Sequence, residues 1–327
     1  MGGGYNTATG FQALQSNTTG AANTAHGATA LFSNTEGDGN TASGSNALRN
    51  NTYGRYNTAI GYESLRQNTV GILNTAVGGN ALLANRDGSY NTASGFWSLY
   101  QNTTGLTNTA TGYEALYNNT SGNSNVASGF SALFLNTTGS FNTGVGNSAL
   151  FSNTVGSTNT GIGNFANVST GELTNATAIG FGAVVDASNK IRLGNADVTV
   201  IEGEVPYTYT SDRNKKENFR PLEAEMVLTK LRGLSVTSWN YIGQDAKQFR
   251  HYGPMSQDFF AAFGHDAVGT IGTPTTITSG DLDGVLVIAA QALEHRTEEL
   301  KGENAQLRAK LEALERRIGN CALSQAE

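Results

Sequence analysis

Asn57-Thr58-Ala59-Ile60-Gly61-Tyr62-Glu63-Ser64-Leu65-Arg66-Gln67-Asn68-Thr69-Val70-Gly71-Ile72-Leu73 is one turn of a pattern that fills more than half of the chain. Its head, Asn-Thr-Ala-x-Gly, begins at Asn6 and returns at 23, 40, 57, 74, 91, 108, 125, 142 and 159, each time 17 residues on. Substitutions inside it are conservative: Val126 stands for Thr, and Gly144 and Gly161 for Ala. Ala176-Thr177-Ala178-Ile179-Gly180 is a degenerate last copy. A leucine follows each head from Leu14 to Leu150. A second asparagine recurs at Asn17, Asn34, Asn51, Asn68, Asn102, Asn119, Asn136 and Asn153, with glycine three residues later. Self-similarity at a fixed period is the mark of a repeat architecture.

Seventeen residues are too few for a helix pair and fit one coil of a parallel β-solenoid, expected here as two short strands and two turns. Glycine supplies the positive φ of tight turns, and Thr, Val and Ile fill the pleat. Identical residues then stack at about 4.8 Å, so that 11 coils make a rod of roughly 50 Å. Asparagine above asparagine forms side-chain amide ladders, which satisfy buried amides better than scattered ones. With one Leu and a few Ala per coil the core is thin, and the coils are expected to need neighbouring chains.

Composition narrows the function. Glycine, at 41, is well above its usual share, yet only four prolines and no Gly-X-Y period rule out collagen. A formal net charge of −6 offers nucleic acid no electrostatic foothold. Cys321 is alone, so no intrachain disulfide is available. No run of about 18 apolar residues exists to span a membrane, and no basic-then-apolar leader opens the chain. Met1-Gly2-Gly3-Gly4 reads as an added start, the sequence being expected to begin partway through a longer fibre. No His, Cys and carboxylate cluster has metal spacing, and Gly144-Val145-Gly146 opens no helix and makes no phosphate loop. No cofactor is expected.

Asn-Thr-Ala-Ile-Gly at 57–61 and Ala-Thr-Ala-Ile-Gly-Phe-Gly-Ala at 176–183 resemble the repeats of trimeric autotransporter heads. That resemblance implies left-handed parallel β-rolls, three chains to a head; the 17-residue period is somewhat longer than that family's coil. Phe11, Tyr62, Phe96, Tyr113, Phe130 and Phe181 follow the motif glycine. Such a stripe reads first as packing between coils or chains, and second as a platform for a glycan. Sequons such as Asn17-Thr18-Thr19 fall out of the repeat itself.

Beyond 182 the repeat dissolves. Ile191/Leu193 and Val198/Val200 alternate as strands around Gly194-Asn195, and Pro206-Tyr207-Thr208-Tyr209-Thr210 runs on extended. Then the composition changes: residues 1–200 carry only 14 of the 46 charged side chains. At the boundary stands Ser211-Asp212-Arg213-Asn214-Lys215-Lys216-Glu217. A serine is a weak nucleophile unless a base is held against it, and a lysine freed of its proton by desolvation is such a base. Ser211 and Lys216 are close enough for one folded turn to join them, although Ser211-Asp212 equally suits a helix cap.

Ser211 to Phe219 resembles the opening of the intramolecular chaperone domain of endosialidase-type phage tail spikes and related fibre proteins. The likeness continues through Val236-Thr237-Ser238-Trp239-Asn240-Tyr241 and His251-Tyr252-Gly253-Pro254-Met255-Ser256-Gln257-Asp258-Phe259, and ends at Asp281-Leu282-Asp283-Gly284-Val285. The resemblance implies a self-cleaving serine peptidase acting once, in cis, at Thr210–Ser211. Ser211 would be the nucleophile and Lys216 its base, with Asp212 and His251 in support; Arg213 and Glu217 are read as structural. Within this part, helices are expected over Leu222–Leu231 and Gln257–Phe263, and a strand over Leu234–Ile242.

Leu286, Leu293, Leu300, Leu307 and Leu314 are seven apart, the d positions of a coiled coil, with Ala290, Thr297, Asn304, Leu311 and Ile318 at a. The alternative for this stripe is packing against the chaperone part itself. The expected architecture is therefore mainly β. Residues 1–182 form a trimeric solenoid fibre, 183–210 a neck, 211–284 a small α+β chaperone and 285–320 a trimeric coiled coil. The expected role is a homotrimeric tail-spike-like adhesin on a virion tail or cell surface, meeting a glycan or receptor, whose C-terminal part drives assembly and cuts itself off. A non-cleaving adhesin with a permanent stalk is the alternative.

Overall fold

The computed structural model describes residues 3–198, 201–202, 211–220, 222–242, 244–266 and 269–324. The chain divides into two compact units, Met1–Val205 and Pro206–Glu327.

The first unit is a parallel β-solenoid. Its strands are three residues long, from Thr7–Thr9 and Thr24–His26 to Thr177–Ile179 and Ile191–Leu193, and they join in one 12-stranded sheet. Register follows the motif: Thr24 pairs with Thr41, Thr58 with Thr75, and Thr160 with Thr177. The last step, Thr177 to Ile191, shortens the coil. Ile191–Leu193, assigned to the neck from its alternation, is thus the last strand of the solenoid sheet. Its partner Val198–Val200 lies partly outside the described residues, as does Pro206–Thr210 wholly.

Two expectations about the coil are corrected. Each coil up to Ile162 has one strand, not two; a second, two-stranded sheet of Asn167–Val168 and Val184–Val185 forms only near the end. The cause lies in the leucine arc, where residues alternate in hand and no extended run can form. There glycine is not the residue that supplies positive φ. Leu14 through Leu150 adopt φ of 50–53°, a conformation costing about 1–2 kcal/mol for an L-residue with a side chain. The return is a leucine at no exposure from Leu31 onward and a coil-to-coil bond from its N–H, as from Leu31 to Ala47 O at 3.0 Å. Motif glycines are needed elsewhere: at Gly95, φ is +142° and a Cβ would sit 2.4 Å from Gly112 O of the next coil.

The interior is narrow but closed within one chain, with the mid-strand alanines such as Ala25, Ala59 and Ala110 and the arc leucines such as Leu31, Leu99 and Leu150 at 0–1% exposure. Two amide ladders run through it. Asn40 N donates to Asn23 Oδ1 (2.9 Å) while Asn40 Nδ2 reaches Gly54 O (2.8 Å). In the second ladder Asn51 Nδ2 donates to Asn34 Oδ1 (2.8 Å) and to Gly54 O (3.0 Å). Both ladders repeat coil after coil, so the buried amides satisfy one another and neighbours are not required to complete the core.

The second unit is small. Its helices are Ala224–Arg232 (α1), Ser256–Phe263 (α2) and Ser279–Ser324 (α3), and Val236–Trp239 pairs antiparallel with His251–Pro254. Gly233 and Gly264 end α1 and α2, as expected from sequence. Thr278 caps the start of α3: Asp281 N donates to Thr278 Oγ1 (3.2 Å) and Thr278 Oγ1 to Asp281 Oδ2 (2.6 Å). Val227, Phe259 and Phe263 form the core, joined by Leu282, Val285 and Ile288 of α3. Arg296 of α3 holds Glu225 of α1 through two hydrogen bonds, one of 2.9 Å.

The heptad leucines take no part in that core. Leu286, Leu293, Leu300, Leu307 and Leu314 are all at least half exposed, while Ala289 and Ala292 of α3 are buried. Packing of the d stripe against the chaperone part is thereby excluded within one chain. A long helix with an open d seam is consistent with a coiled coil.

Candidate active site

Ser211 and Lys216 meet across a single 3-10 turn, Arg213–Lys215. Asp212 sets it up: extended at φ −66°, ψ 124°, it accepts at Oδ1 from Asn214 N (2.9 Å) and from Asn214 Nδ2 (3.1 Å). Lys215 N and Lys216 N close the turn onto Asp212 O and Arg213 O at 3.1 and 3.2 Å. The turn shortens the path between residues five apart, and Lys216 Nζ donates to Ser211 Oγ at 2.8 Å. Behind it Asn218 takes φ +57°, and the Arg213 guanidinium lies 5.3 Å from the Phe219 ring centre. Asp212 is thus the cap that the sequence offered as the plain alternative, and its cap brings the hydroxyl and the amine together.

A hydroxyl within hydrogen-bond reach of an amine is the geometry of a nucleophile and its base. Both residues are exposed in the single chain. A lysine serves as a base where its surroundings exclude water, and the single chain supplies no such cover at Lys216.

His251 is placed elsewhere. It stands opposite Trp239 in the hairpin, its ring stacked on the indole at 4.6 Å and 26° and met edge-on by Tyr241 at 5.7 Å. Its Nε2 and the neighbouring Trp239 Nε1 are buried without a hydrogen-bond partner among the described residues. No hydrogen bond joins it to Ser211, Asp212 or Lys216 among those residues. Thr210 lies outside the described residues. The aromatic box around His251 was not read from sequence. Its signal is the pairing of Val236–Trp239 with His251–Pro254, which needs the hairpin loop to be recognised first.

An apolar cleft of about 230 Å³ opens between α1, α2 and α3, lined by Leu222, Met226, Phe259, Phe263 and Ile288 among others. None of Ser211, Lys216 and His251 lines it. No metal-holding group of His, Cys, Asp and Glu occurs among the described residues, and no described helix is long and apolar enough to cross a membrane.

The aromatic stripe of the solenoid forms true ladders only in the middle coils. Phe96, Tyr113 and Phe130 stack at 6.1 and 5.3 Å, nearly parallel. A second column, Tyr100, Tyr117, Phe134 and Phe151, stacks at 5.0–5.3 Å. Rings stacked in this way spend their faces on each other, the geometry of coil-to-coil packing rather than of a sugar platform.

Residues 211–268 match the family model described as chaperone of endosialidase, a family of self-cleaving chaperones. Curated proteins give no significant match. The matched segment begins at Ser211 and contains Lys216 and His251. A domain of this family behind a parallel β-solenoid fits a tail-spike-like fibre with an intramolecular chaperone.

Proposed function

We propose that the chain is a homotrimeric fibre whose C-terminal unit aligns three copies and then cuts itself free at Thr210–Ser211. The observation that carries this is the 2.8 Å bond from Lys216 Nζ to Ser211 Oγ, at the first residue of the family match. Neutral Lys216 takes the Ser211 hydroxyl proton, and Oγ attacks the Thr210 carbonyl carbon. The Thr210–Ser211 C–N bond breaks, the Ser211 nitrogen gains a proton, and the acyl group rests on Oγ as an ester. Water then hydrolyses it, leaving a carboxylate at Thr210 and restoring the Ser211 hydroxyl. Asp212 holds the turn. The support for cleavage that the resemblance implies for His251 does not act through a hydrogen bond to the dyad among the described residues of the single chain; its ring packs on Trp239 and Tyr241.

Exposure of the dyad supplies the timing. Assembly that covers the exposed dyad gives it the water-poor surroundings in which a lysine serves as a base. The open d seam of α3 supports three-chain assembly, since burying each leucine is worth about 1.5–3 kcal/mol. A stack of near-identical coils pairs almost as well one coil out of register, so an external aligner is of use. Once it is gone, the fibre is held by a high unfolding barrier. The proposed setting is an extracellular fibre or virion tail, with a glycan or receptor as the partner.

The test is a denaturing gel of freshly made full-length protein. Fragments meeting at 210/211 that vanish in Ser211→Ala and Lys216→Ala, with the trimer retained, support the proposal. A single uncut band in the unaltered protein supports the permanent stalk instead.

A further inference from the structure

Between the two end strands, each three-residue strand of the 12-stranded sheet sends its middle residue inward and its first and third outward. From Thr24–His26 to Thr177–Ile179 the middle residue is buried and the outer two are not. The sheet therefore shows two outward ranks, 24 positions over 12 strands, and none of them is Asp, Glu, Lys or Arg. The first rank is threonine apart from Val126 and Ile191. Glu63, Arg66, Asp87 and Glu114 lie in the turns; Arg192, the middle residue of the closing strand, is the one strand position of the sheet that carries a charge. A sheet face left to solvent ordinarily alternates apolar-in with polar and charged-out. These two ranks make a strip free of Asp, Glu, Lys and Arg, mostly of β-branched and small side chains, about 50 Å long.

The strip is also uneven. Its third-position rank begins polar with Thr9, His26 and Ser43, passes through Ile60 and Val77 to polar Ser94, Thr111 and Ser128, and ends in its longest apolar run, Val145, Ile162, Ile179 and Leu193. Ile162 is 43% exposed and Leu193 40%. The apolar end is the one whose sequence runs on toward Ser211.

We infer that this strip is the face on which copies of the solenoid pack against each other, and that the contact closes from its apolar C-terminal end toward Thr7. The occupant is a second copy of the same chain. Another strip with the same coil spacing matches it rung for rung, whereas a glycan would call for aromatic faces and charged or amide rims, which the strip lacks. The chain carries a separate uncovered apolar stripe along α3, so self-association has two seats. Two ranks over such a length cover on the order of 500 Å², below the roughly 800 Å² per partner of a standard interface. A contact of that size holds only when something else brings the copies into alignment, which is the task proposed for the C-terminal unit. The inference rests on the homotrimeric reading and adds the face and the direction of closure.

The experiment places single cysteines in full-length Cys321→Ser protein and cross-links with a short bismaleimide, after light scattering has fixed the oligomeric state. Ser94→Cys and Ser128→Cys, on the strip, are expected to give covalent pairs on a denaturing gel. Thr104→Cys and Ser121→Cys, in the turns, are expected to give none. A trimer that cross-links only through the turn positions overturns the strip and leaves the trimer standing; a monomer overturns the homotrimeric reading itself. As a second measurement, Ile162→Lys should lower trimer yield at least tenfold, Ser43→Lys about twofold, and Val155→Lys, in a turn, not at all. Equal losses for Ile162→Lys and Ser43→Lys would overturn closure from the C-terminal end.

Discussion

The solenoid and the C-terminal unit spend their apolar residues in opposite ways. In the solenoid each central coil buries its leucine, its alanines and two asparagines completely within one chain. In the C-terminal unit the buried apolar set is Val227, Phe259, Phe263, Ala289 and Ala292 among the described residues, while five heptad leucines stand in solvent. The first is complete inside and unfinished on one outer strip; the second has little inside and is unfinished along its longest helix. The contrast teaches a division of labour. A body with closed coils has weak means of choosing partners, and a body with an open leucine seam has strong ones.

The largest expected effect concerns chemistry. Lys216→Arg keeps the charge and a donor near Ser211 Oγ but cannot lose its proton at neutral pH. Cleavage should fall below detection on a time-course gel, as for Ser211→Ala, with the trimer intact. Asp212→Ala removes the cap of the turn and should slow cleavage rather than abolish it, the same gel giving the rate. Full-rate cleavage in Lys216→Arg would mean that another group is the base.

Next comes the seam. Leu300→Lys with Leu307→Lys removes two leucines per chain that the proposed coiled coil buries, at about 1.5–3 kcal/mol each, and adds repelling charges. Light scattering should then find monomer at micromolar protein, and cleavage should stop because Lys216 stays in water. Cleavage by a monomeric double variant would separate the dyad from assembly and break the comparison.

Within the solenoid, Asn91→Ala should cost about as much as Leu99→Ala, roughly 3 kcal/mol each. Asn91 donates to Asn74 Oδ1 and Gly105 O and accepts from Asn108 N (2.9 Å), so its removal strands partners that have no water to turn to. Denaturant midpoints of the two variants measure this. A much milder Asn91→Ala would show the ladder to be filler rather than support.

The smallest effect is a titration. Burial, then the Glu114 carboxylate, holds the Tyr113 phenol above its usual value, and burial, then Tyr100 and Glu114, does the same for Tyr117. A folded value above the unfolded one means that the contribution to stability is whole below the ordinary tyrosine range near 10. It is lost as pH rises through the folded value. Glu114→Gln should bring the ultraviolet tyrosinate titration of the solenoid to lower pH, and no displacement would remove Glu114 as a cause.

Much of this was legible in the residues. Register, coil length and the two asparagine ladders follow from the 17-residue spacing, because identical side chains at one period can only stack. Helix ends at Gly233 and Gly264 were readable for the ordinary reason that glycine stops a helix. What misled was the leucine arc: propensity reserves positive φ for glycine, and only the gain from burying Leu31 and its counterparts overrides that. That the Ile191–Leu193 strand closes the solenoid sheet was hidden by its shortened step, and the His251 box by its dependence on a hairpin.

The repeat by itself settled a parallel stack in fixed register, since a one-residue slip would turn Ala59 and its counterparts out of the core. The Ser/Lys pair was only a spacing until the 3-10 turn placed an amine 2.8 Å from a hydroxyl. Which side of α3 its leucines take was likewise open until the fold set Leu282, Val285 and Ile288 inward and left the heptad stripe outside. Both depend on the directions of side chains over a folded backbone, which spacing in a sequence does not contain.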